Sequence, residues 1–176
     1  TATLGESQGY AMLGLIFLLH FGLFDLLGLF FRQLGINAQP LMRAPALAQS
    51  LSEFWSTRWN VAFRRLSFDL VFHPLAARFT ASAAVFAGFL FSGLVHDLVI
   101  SVPARAGFGL PTLYFALQGL GVLLERSRLG RRLRLDRGIR GRLFMILCTA
   151  LPLGLCFHQP FVLGVIVPFL RQVQAL

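Results

Sequence analysis

The stretch from Phe79 to Val102, FTASAAVFAGFLFSGLVHDLVISV, decides the fold. It is long enough for a helix to cross a bilayer, which takes roughly 17–25 residues. Its only ionisable side chains are His96 and Asp97. An imidazole is costly to place in such a run, so by default it reads as functional. On a helix, Ser92 and Gly93 share its face at i−4 and i−3. Gly93 would let a substrate or a neighbouring helix approach closely. Asp97 points about 100° away, toward another span or the aqueous end. Apolar surroundings favour the neutral ring, the form that can accept a proton. The competing reading of His96 is a polar contact that merely holds two spans together.

Outward from that run, further apolar segments fall at about Gly9–Phe31, Phe108–Leu124, Leu143–Phe157 and Phe161–Leu170. The last two are short and carry Pro152, Pro160 and Pro168. They form either two tilted spans or one broken one, and two is the expectation. Hydrophobic residues make up 56% of the 176 and charged residues only 13%, with a mean hydropathy of +0.72. A water-soluble domain needs more polar surface than this. The expected fold is therefore all-α: a polytopic transmembrane helical bundle with an amphipathic interfacial helix, forming one membrane-embedded domain over residues 1–176. The chain opens on Thr1 rather than methionine, which leads us to expect the C-terminal part of a longer protein. Its first apolar stretch is too long, and lacks the basic leader, for a cleavable signal peptide. Cys148 and Cys156, eight positions apart on one helix, would stand roughly 12 Å apart. That is too far for a disulfide between them, so both read as small packing residues.

The formal net charge is +9, and all sixteen basic residues are arginine. This fits loops held against anionic lipid and argues against a nucleic-acid partner. Residues 32–78 carry Arg32, Arg43, Arg58, Arg64, Arg65 and Arg78, and eight more arginines lie in 126–142. The intervening loop Pro103–Leu110 has only Arg105, and the turn His158–Pro160 has none. The alternation puts both basic stretches on the cytoplasmic side. The lysine-free, Arg-, Ala- and Gly-rich composition suggests a bacterial source, and hence a multi-pass protein of the bacterial inner membrane.

Ser50-Leu51-Ser52-Glu53 has capping-box spacing. From there Leu51, Trp55, Trp59, Ala62, Phe63 and Leu66 recur at spacings of three and four and mark one apolar helix face. Tryptophan with arginine suits an interfacial helix. Taken alone, the stretch reads as a membrane-surface anchor with Asn60 an exposed amide. His20 and Asp25 read as polar contacts within the bundle, and His73, before Pro74, as a loop or helix-start residue. His158 reads as a turn residue near the interface. No His, Cys or carboxylate stands at i±3 or i±4 from His96, and no metal cluster is visible.

Taken together, these residues resemble the wax synthase-like branch of the membrane-bound O-acyltransferases. The matching pieces are Pro40-Leu41-Met42-Arg43-Ala44-Pro45, Ser50-Leu51-Ser52-Glu53-Phe54-Trp55, Arg58-Trp59-Asn60 and Phe89-Leu90-Phe91-Ser92-Gly93-Leu94-Val95-His96-Asp97. Gly109-Leu110-Pro111-Thr112 is also similar. The likeness covers residues 40–125, and the last third loosely. An aromatic-Trp-x-x-Arg-Trp-Asn run followed about 36 residues later by Ser-Gly-x-x-His is specific where either half alone is not. The family more often has Gly-Arg where Ser56-Thr57 stand, and Glu is common at the place of Asp97.

The resemblance implies transfer of a fatty acyl group from acyl-CoA to the hydroxyl of a long-chain alcohol, giving a wax ester, with no further cofactor. Carried over by position, His96 is the catalytic histidine, acting as general base, and Asn60 the catalytic asparagine. Trp55, Arg58, Trp59, Ser92 and Gly93 form the expected substrate-binding set. The implied partners are acyl-CoA, a lipid alcohol and membrane lipids. A sterol or diacylglycerol acceptor remains open, as does a non-enzymatic transport or scaffold role. One tension stands. The arginine topology puts Asn60 at the surface, whereas His96 lies roughly 25 Å along its span at 1.5 Å per residue.

Overall fold

The computed structural model describes Phe30, Gln33, Leu34 and residues 42–172. Apart from Phe30, the expected first span Gly9–Phe31, with His20 and Asp25, lies outside the described residues. Among those described, all regular structure is helical. After a 3-10 turn at Pro45–Leu47, seven longer helices follow in order: α1 (51–58), α2 (61–76), α3 (Ala81–Ala104), α4 (Leu110–Arg126), α5 (Arg128–Arg132), α6 (Gly138–Cys156) and α7 (159–172).

Of the described helices, α3 and α6 are long and apolar enough to cross a membrane. The core helix of a water-soluble domain would be mostly buried. Only 22% of the most apolar window of α3, and 17% of that of α6, is buried. Leu94, Leu98, Val99 and Val102 on α3 stand exposed, as do Ile146, Leu147 and Leu151 on α6. The third expected span, α4, is different in kind. It packs antiparallel along α3 and buries Tyr114, Phe115, Gln118, Val122 and Glu125. The last two apolar segments form separate helices, parted at Phe157 and His158. The basic stretch 126–142, expected as a loop, contains α5, and α6 begins at Gly138, so Arg140 and Arg142 sit in its opening turns.

Three helices widen just before a proline. π-helical turns at Phe68–Phe72, Asp97–Ser101 and Val162–Ile166 precede Pro74, Pro103 and Pro168. Proline brings no N–H, and its ring clashes with the carbonyl four residues back. A π turn shifts that carbonyl, so the helix continues past the proline. His73, expected in a loop or at a helix start, therefore lies inside α2.

The amphipathic helix expected through Leu66 is broken. Trp59 is extended (φ −97°, ψ 125°) and Asn60 is left-handed (φ 40°, ψ 63°). Asparagine tolerates that conformation better than most residues. Its Oδ1 accepts the Phe63 N–H at 3.2 Å and so starts α2 as an N-cap. Leu51, on the expected apolar face, is wholly buried against the protein. The capping box forms on one side, Glu53 N–H donating to Ser50 Oγ at 3.0 Å. The Glu53 carboxylate instead takes the Gln49 N–H, at 2.8 Å. A second cap comes from far along the chain: buried Glu125 accepts the N–H groups of Leu51 (2.7 Å) and Ser52 (3.2 Å). At the other end of α1, Trp55 Nε1–H donates to Gln118 Oε1 at 3.3 Å. From Glu125 to Gln118 is about two turns of α4, roughly 10 Å. α1 therefore starts beside Glu125 and runs along α4 past Gln118, and the chain turns at Asn60, beside Met42 and Arg43, to leave as α2.

Parts of the two basic stretches touch, and so do the two arginine-poor segments. The basic stretches meet at one end, where Arg142 Nη2 donates to the Ala46 carbonyl (2.6 Å) and Arg126 Nε to Ser52 Oγ (3.2 Å). The arginine-poor segments meet at the other. Gly107, at φ 73°, leaves no room for a Cβ against the His158 ring, and Ser101 Oγ lies 3.4 Å from His158 Nε2.

Candidate active site

His96 lies in the last ordinary turn of α3, half-buried and just before the π turn. Its Nδ1 stands 2.7 Å from the Ser92 carbonyl oxygen. A carbonyl only accepts, so Nδ1 carries the proton and Nε2 the lone pair. Two aromatic side chains lie against the ring. Phe115 of α4 lies at a centroid distance of 4.3 Å, and Phe63 of α2 meets it edge to face at 6.3 Å. Phe63 also stacks on Phe91 at 6.2 Å.

Asn60 and His96 are linked through Phe63. The Asn60 carboxamide holds the Phe63 N–H, and the Phe63 ring lies against the imidazole. Asn60 sits at the turn between α1 and α2, within one helical turn of Phe63. With Oδ1 occupied as a cap, the Nδ2 hydrogens are the donors left to the amide. The Asn60 N–H meets Met42 Sδ at 3.3 Å, and Met42 is buried.

The other expected residues divide. Trp55 is central, its ring lying 5.9 Å from Phe89 and 5.7 Å from Phe115. Trp59 stacks on Phe54 at 5.3 Å. Ser92 is buried, and its carbonyl oxygen is the group that bonds His96. For Gly93, the close neighbour is a helix: a Cβ there would come within 2.6 Å of Thr112 Cα and 3.3 Å of Phe115 Cβ. Arg58 is a brace. Its guanidinium pairs with Glu53 at 2.6 Å and donates to the carbonyls of Arg43 (3.1 Å) and Ala44 (3.2 Å).

Sequence reasoning missed the polar groups that hold this arrangement. Asp97 Oδ1 accepts from Ser101 Oγ (2.8 Å) and the Gly109 N–H (2.9 Å), and Oδ2 from the Thr112 N–H (3.2 Å) and hydroxyl. Of the two places open to it, Asp97 takes the bond to another helix. His158 stands in the turn between α6 and α7 and is buried, and its Nδ1 accepts the Phe161 N–H at 3.3 Å, starting α7. Its Nε2–H therefore points to Ser101 Oγ. Ser101, His158 and Asp97 are the residue types of a hydrolytic triad with the opposite polarity. The serine donates to the aspartate and accepts from the histidine, so nothing activates it as a nucleophile. Gln118, fully buried in α4, joins Trp55 to the Cys148 carbonyl, which accepts from its Nε2 at 2.7 Å. No signal in a single sequence marks Gln118 or Glu125, because their partners lie on other helices. Cys148 and Cys156 are both free thiols. Among the described residues, no three His, Cys, Asp or Glu side chains are grouped to hold a metal ion.

A model of the membrane bound O-acyl transferase family matches residues 38–117, the stretch that holds Asn60, His96 and Asp97. Over 106 residues the chain is 34% identical to probable long-chain-alcohol O-fatty-acyltransferase 3 of Arabidopsis thaliana, covering 55% of this chain and 31% of that protein. It is 31% identical over 103 residues to probable long-chain-alcohol O-fatty-acyltransferase 8 of the same plant, covering 53% and 31%. To the long-chain-alcohol O-fatty-acyltransferase of Simmondsia chinensis it is 27% identical over 122 residues, covering 62% and 35%. The resemblance read from the motifs is thus present over about half of the chain, which spans about a third of the length of these relatives. These relatives are plant proteins and lend no support to a bacterial inner membrane. No solved structure matches the chain.

Proposed function

We propose that this chain is the part of a multi-pass membrane-bound O-acyltransferase that carries the reaction centre, and that the whole protein esterifies a long-chain alcohol with a fatty acyl group from acyl-CoA. The observation that carries the reading is the aromatic box of Phe63 and Phe115 around a His96 whose Nδ1 is tied to Ser92. It lies within the stretch that matches the family. The exposed apolar faces of α3 and α6 support spanning helices, with the remaining crossings in a longer parent. The gathering of both basic stretches at one end supports a cytoplasmic face there.

An alcohol is a weak nucleophile until its proton is drawn off. His96 Nε2 takes that proton as the oxygen attacks the thioester carbonyl carbon. The carbon–oxygen bond forms, and the carbonyl oxygen gains negative charge. Asn60 Nδ2–H donates to that oxyanion, an interaction worth roughly 3–4 kcal/mol where such donors have been removed. As the intermediate collapses, the carbon–sulfur bond breaks and the imidazolium returns the proton to the coenzyme A sulfur. Ester and free thiol leave, and the base is restored without an acyl-enzyme. Trp55 and Phe89 extend the apolar wall beside this centre, which suits two greasy substrates.

The test uses the full-length protein in membranes, supplied with labelled acyl-CoA and a panel of long-chain alcohols, sterols and diacylglycerols. His96→Ala is expected to lower ester formation by roughly 10²–10⁴-fold, the contribution of a positioned base. A fully active His96→Ala variant would reject the mechanism and leave the transport or scaffold reading. Ester formation confined to sterols or diacylglycerols would keep the mechanism and replace the acceptor.

A further inference from the structure

Two buried polar residues, His158 and Ser101, have no part in the chemistry above. They lie where three chain segments meet: the end of α3, the loop before α4 and the turn between α6 and α7. His158 Nδ1 accepts the Phe161 N–H at 3.3 Å, which leaves Nε2 to carry the proton. That nitrogen lies 3.4 Å from Ser101 Oγ, and the Gly107 backbone is pressed against the same ring. Ser101 Oγ donates in turn to Asp97 Oδ1 at 2.8 Å, with the Gly107 carbonyl as a second acceptor at 3.2 Å. A donor to the hydroxyl oxygen directs its proton away from the imidazole and strengthens the bond it makes next. Capping α7 takes one acceptor, which asparagine, serine or aspartate supplies more readily than histidine. What the histidine adds is its second nitrogen, and that nitrogen serves Ser101.

We propose that His158 is a positioning residue for the reaction, acting through Ser101 and Asp97 to hold Phe115 against the His96 imidazole. In its link to catalysis this rests on the acyltransferase reading above. Asp97 Oδ2 accepts the Thr112 N–H at 3.2 Å and the Thr112 hydroxyl. Thr112 stands about one helical turn before Phe115 on α4, and the Phe115 ring lies 4.3 Å from that of His96. The α7 cap gives His158 a second line to the same place, because Phe161 belongs to the buried cluster that contains Phe115. Without the Nε2–H, the Ser101 proton is free to turn to the Gly107 carbonyl. Asp97 then loses one of the bonds around which the start of α4 is fixed. The reacting imidazole sits in a looser frame, and the loss falls on rate more than on substrate affinity. A misplacement of about 1 Å at a reacting group costs on the order of 10²-fold.

Two substitutions separate the ring nitrogens. Asparagine at 158 keeps a capping acceptor where Nδ1 stands, but is too short to reach Ser101. Glutamine can present an N–H at the place of Nε2, but loses the cap. The full-length protein in membranes, with acyl-CoA and a long-chain alcohol, gives kcat and KM, and thermal unfolding in detergent gives the midpoints. We expect His158→Asn to unfold near the wild-type midpoint yet lose roughly ten- to a hundredfold in kcat, with KM little changed. His158→Gln should unfold lower but keep more of kcat. Rates that simply follow the midpoints, Asn above Gln, would make the histidine structural and overturn the proposal. Ser101→Ala should be as slow as His158→Asn, and the double variant no slower than either, since both cut one chain of bonds. Additive losses would overturn it too. In protein carrying isotope-labelled histidine, the His96 ring resonances, identified by their absence from His96→Ala, should move in His158→Asn as the Phe115 ring shifts. This last measurement needs no turnover. A wild type that forms no ester rejects the acyltransferase reading alone, whereas unmoved His96 resonances reject positioning by His158.

Discussion

The Asp97 carboxylate accepts the Thr112 N–H at 3.2 Å. Through that bond, the residue after His96 fastens the helix that presents Phe115 to the imidazole. Asparagine at 97 would turn one acceptor oxygen into an NH2 group facing donors. Leaving a buried donor unmatched costs about 1–3 kcal/mol. Asp97→Asn is therefore expected to lower the unfolding midpoint in detergent and reduce ester formation. Asp97→Glu, which keeps the charge, should retain more of both. Wild-type behaviour of Asp97→Asn in both measurements would show that α4 is held without this carboxylate.

The helical class and the place of His96 on a long apolar helix were legible because they rest on local pattern: hydropathy and one polar residue in an oily run. The break at Asn60 was not. Leu51, Trp55, Trp59 and Phe63 keep a helical period across it, and periodicity carries no information about a single left-handed residue. Glu125 and Gln118 were illegible for another reason. Their roles exist only once α1 has been drawn in beside α4.

Two glycines of α3 give a paired test. A Cβ at Gly93 would overlap the backbone of Thr112, whereas one at Gly88 meets nothing within 4 Å. Gly93→Ala should destabilise by about 1–3 kcal/mol, the usual cost of overpacking, and should shift Phe115 from His96. Gly88→Ala should stabilise by about 0.5–1 kcal/mol, since alanine loses less freedom in a helix. Thermal unfolding of both variants checks the sign. A stable, active Gly93→Ala would mean that α3 and α4 do not pack this closely.

Glu125 is almost wholly buried and caps α1 from 74 positions away. Glu125→Leu removes the acceptor for the Leu51 and Ser52 N–H groups, with an expected loss of roughly 1–3 kcal/mol. Trp55 should move with the released helix, so tryptophan fluorescence should change along with the midpoint. Unaltered fluorescence and midpoint would refute the cap.

Glu53 supplies a pH dependence. The Gln49 N–H holds its carboxyl below the ordinary value of 4.5, partial burial works against this, and Arg58 adds to the lowering. A depressed pKa contributes stability that is present above the unfolded value and lost as pH falls through the folded one. The midpoint difference between wild type and Glu53→Gln should thus be constant near neutrality and shrink below about pH 4.5. A difference that grows on acidification would contradict the sign.

Asn60 combines two roles that substitution can separate. Its Oδ1 caps α2, and its backbone sits at φ 40°, where alanine would add about 1–2 kcal/mol of strain. Asn60→Ala therefore confounds folding with chemistry. Aspartate keeps a capping oxygen and tolerates the left-handed conformation, but has no Nδ2 hydrogens to give an oxyanion. Asn60→Asp should unfold close to the wild-type midpoint yet form ester about 10²–10³-fold more slowly, the usual effect of losing one such donor. Asn60→Gly keeps the backbone and loses both side-chain roles, so it should be slow and also less stable. Full turnover by Asn60→Asp would confine the residue to capping and leave His96 as the one reacting side chain of the pair.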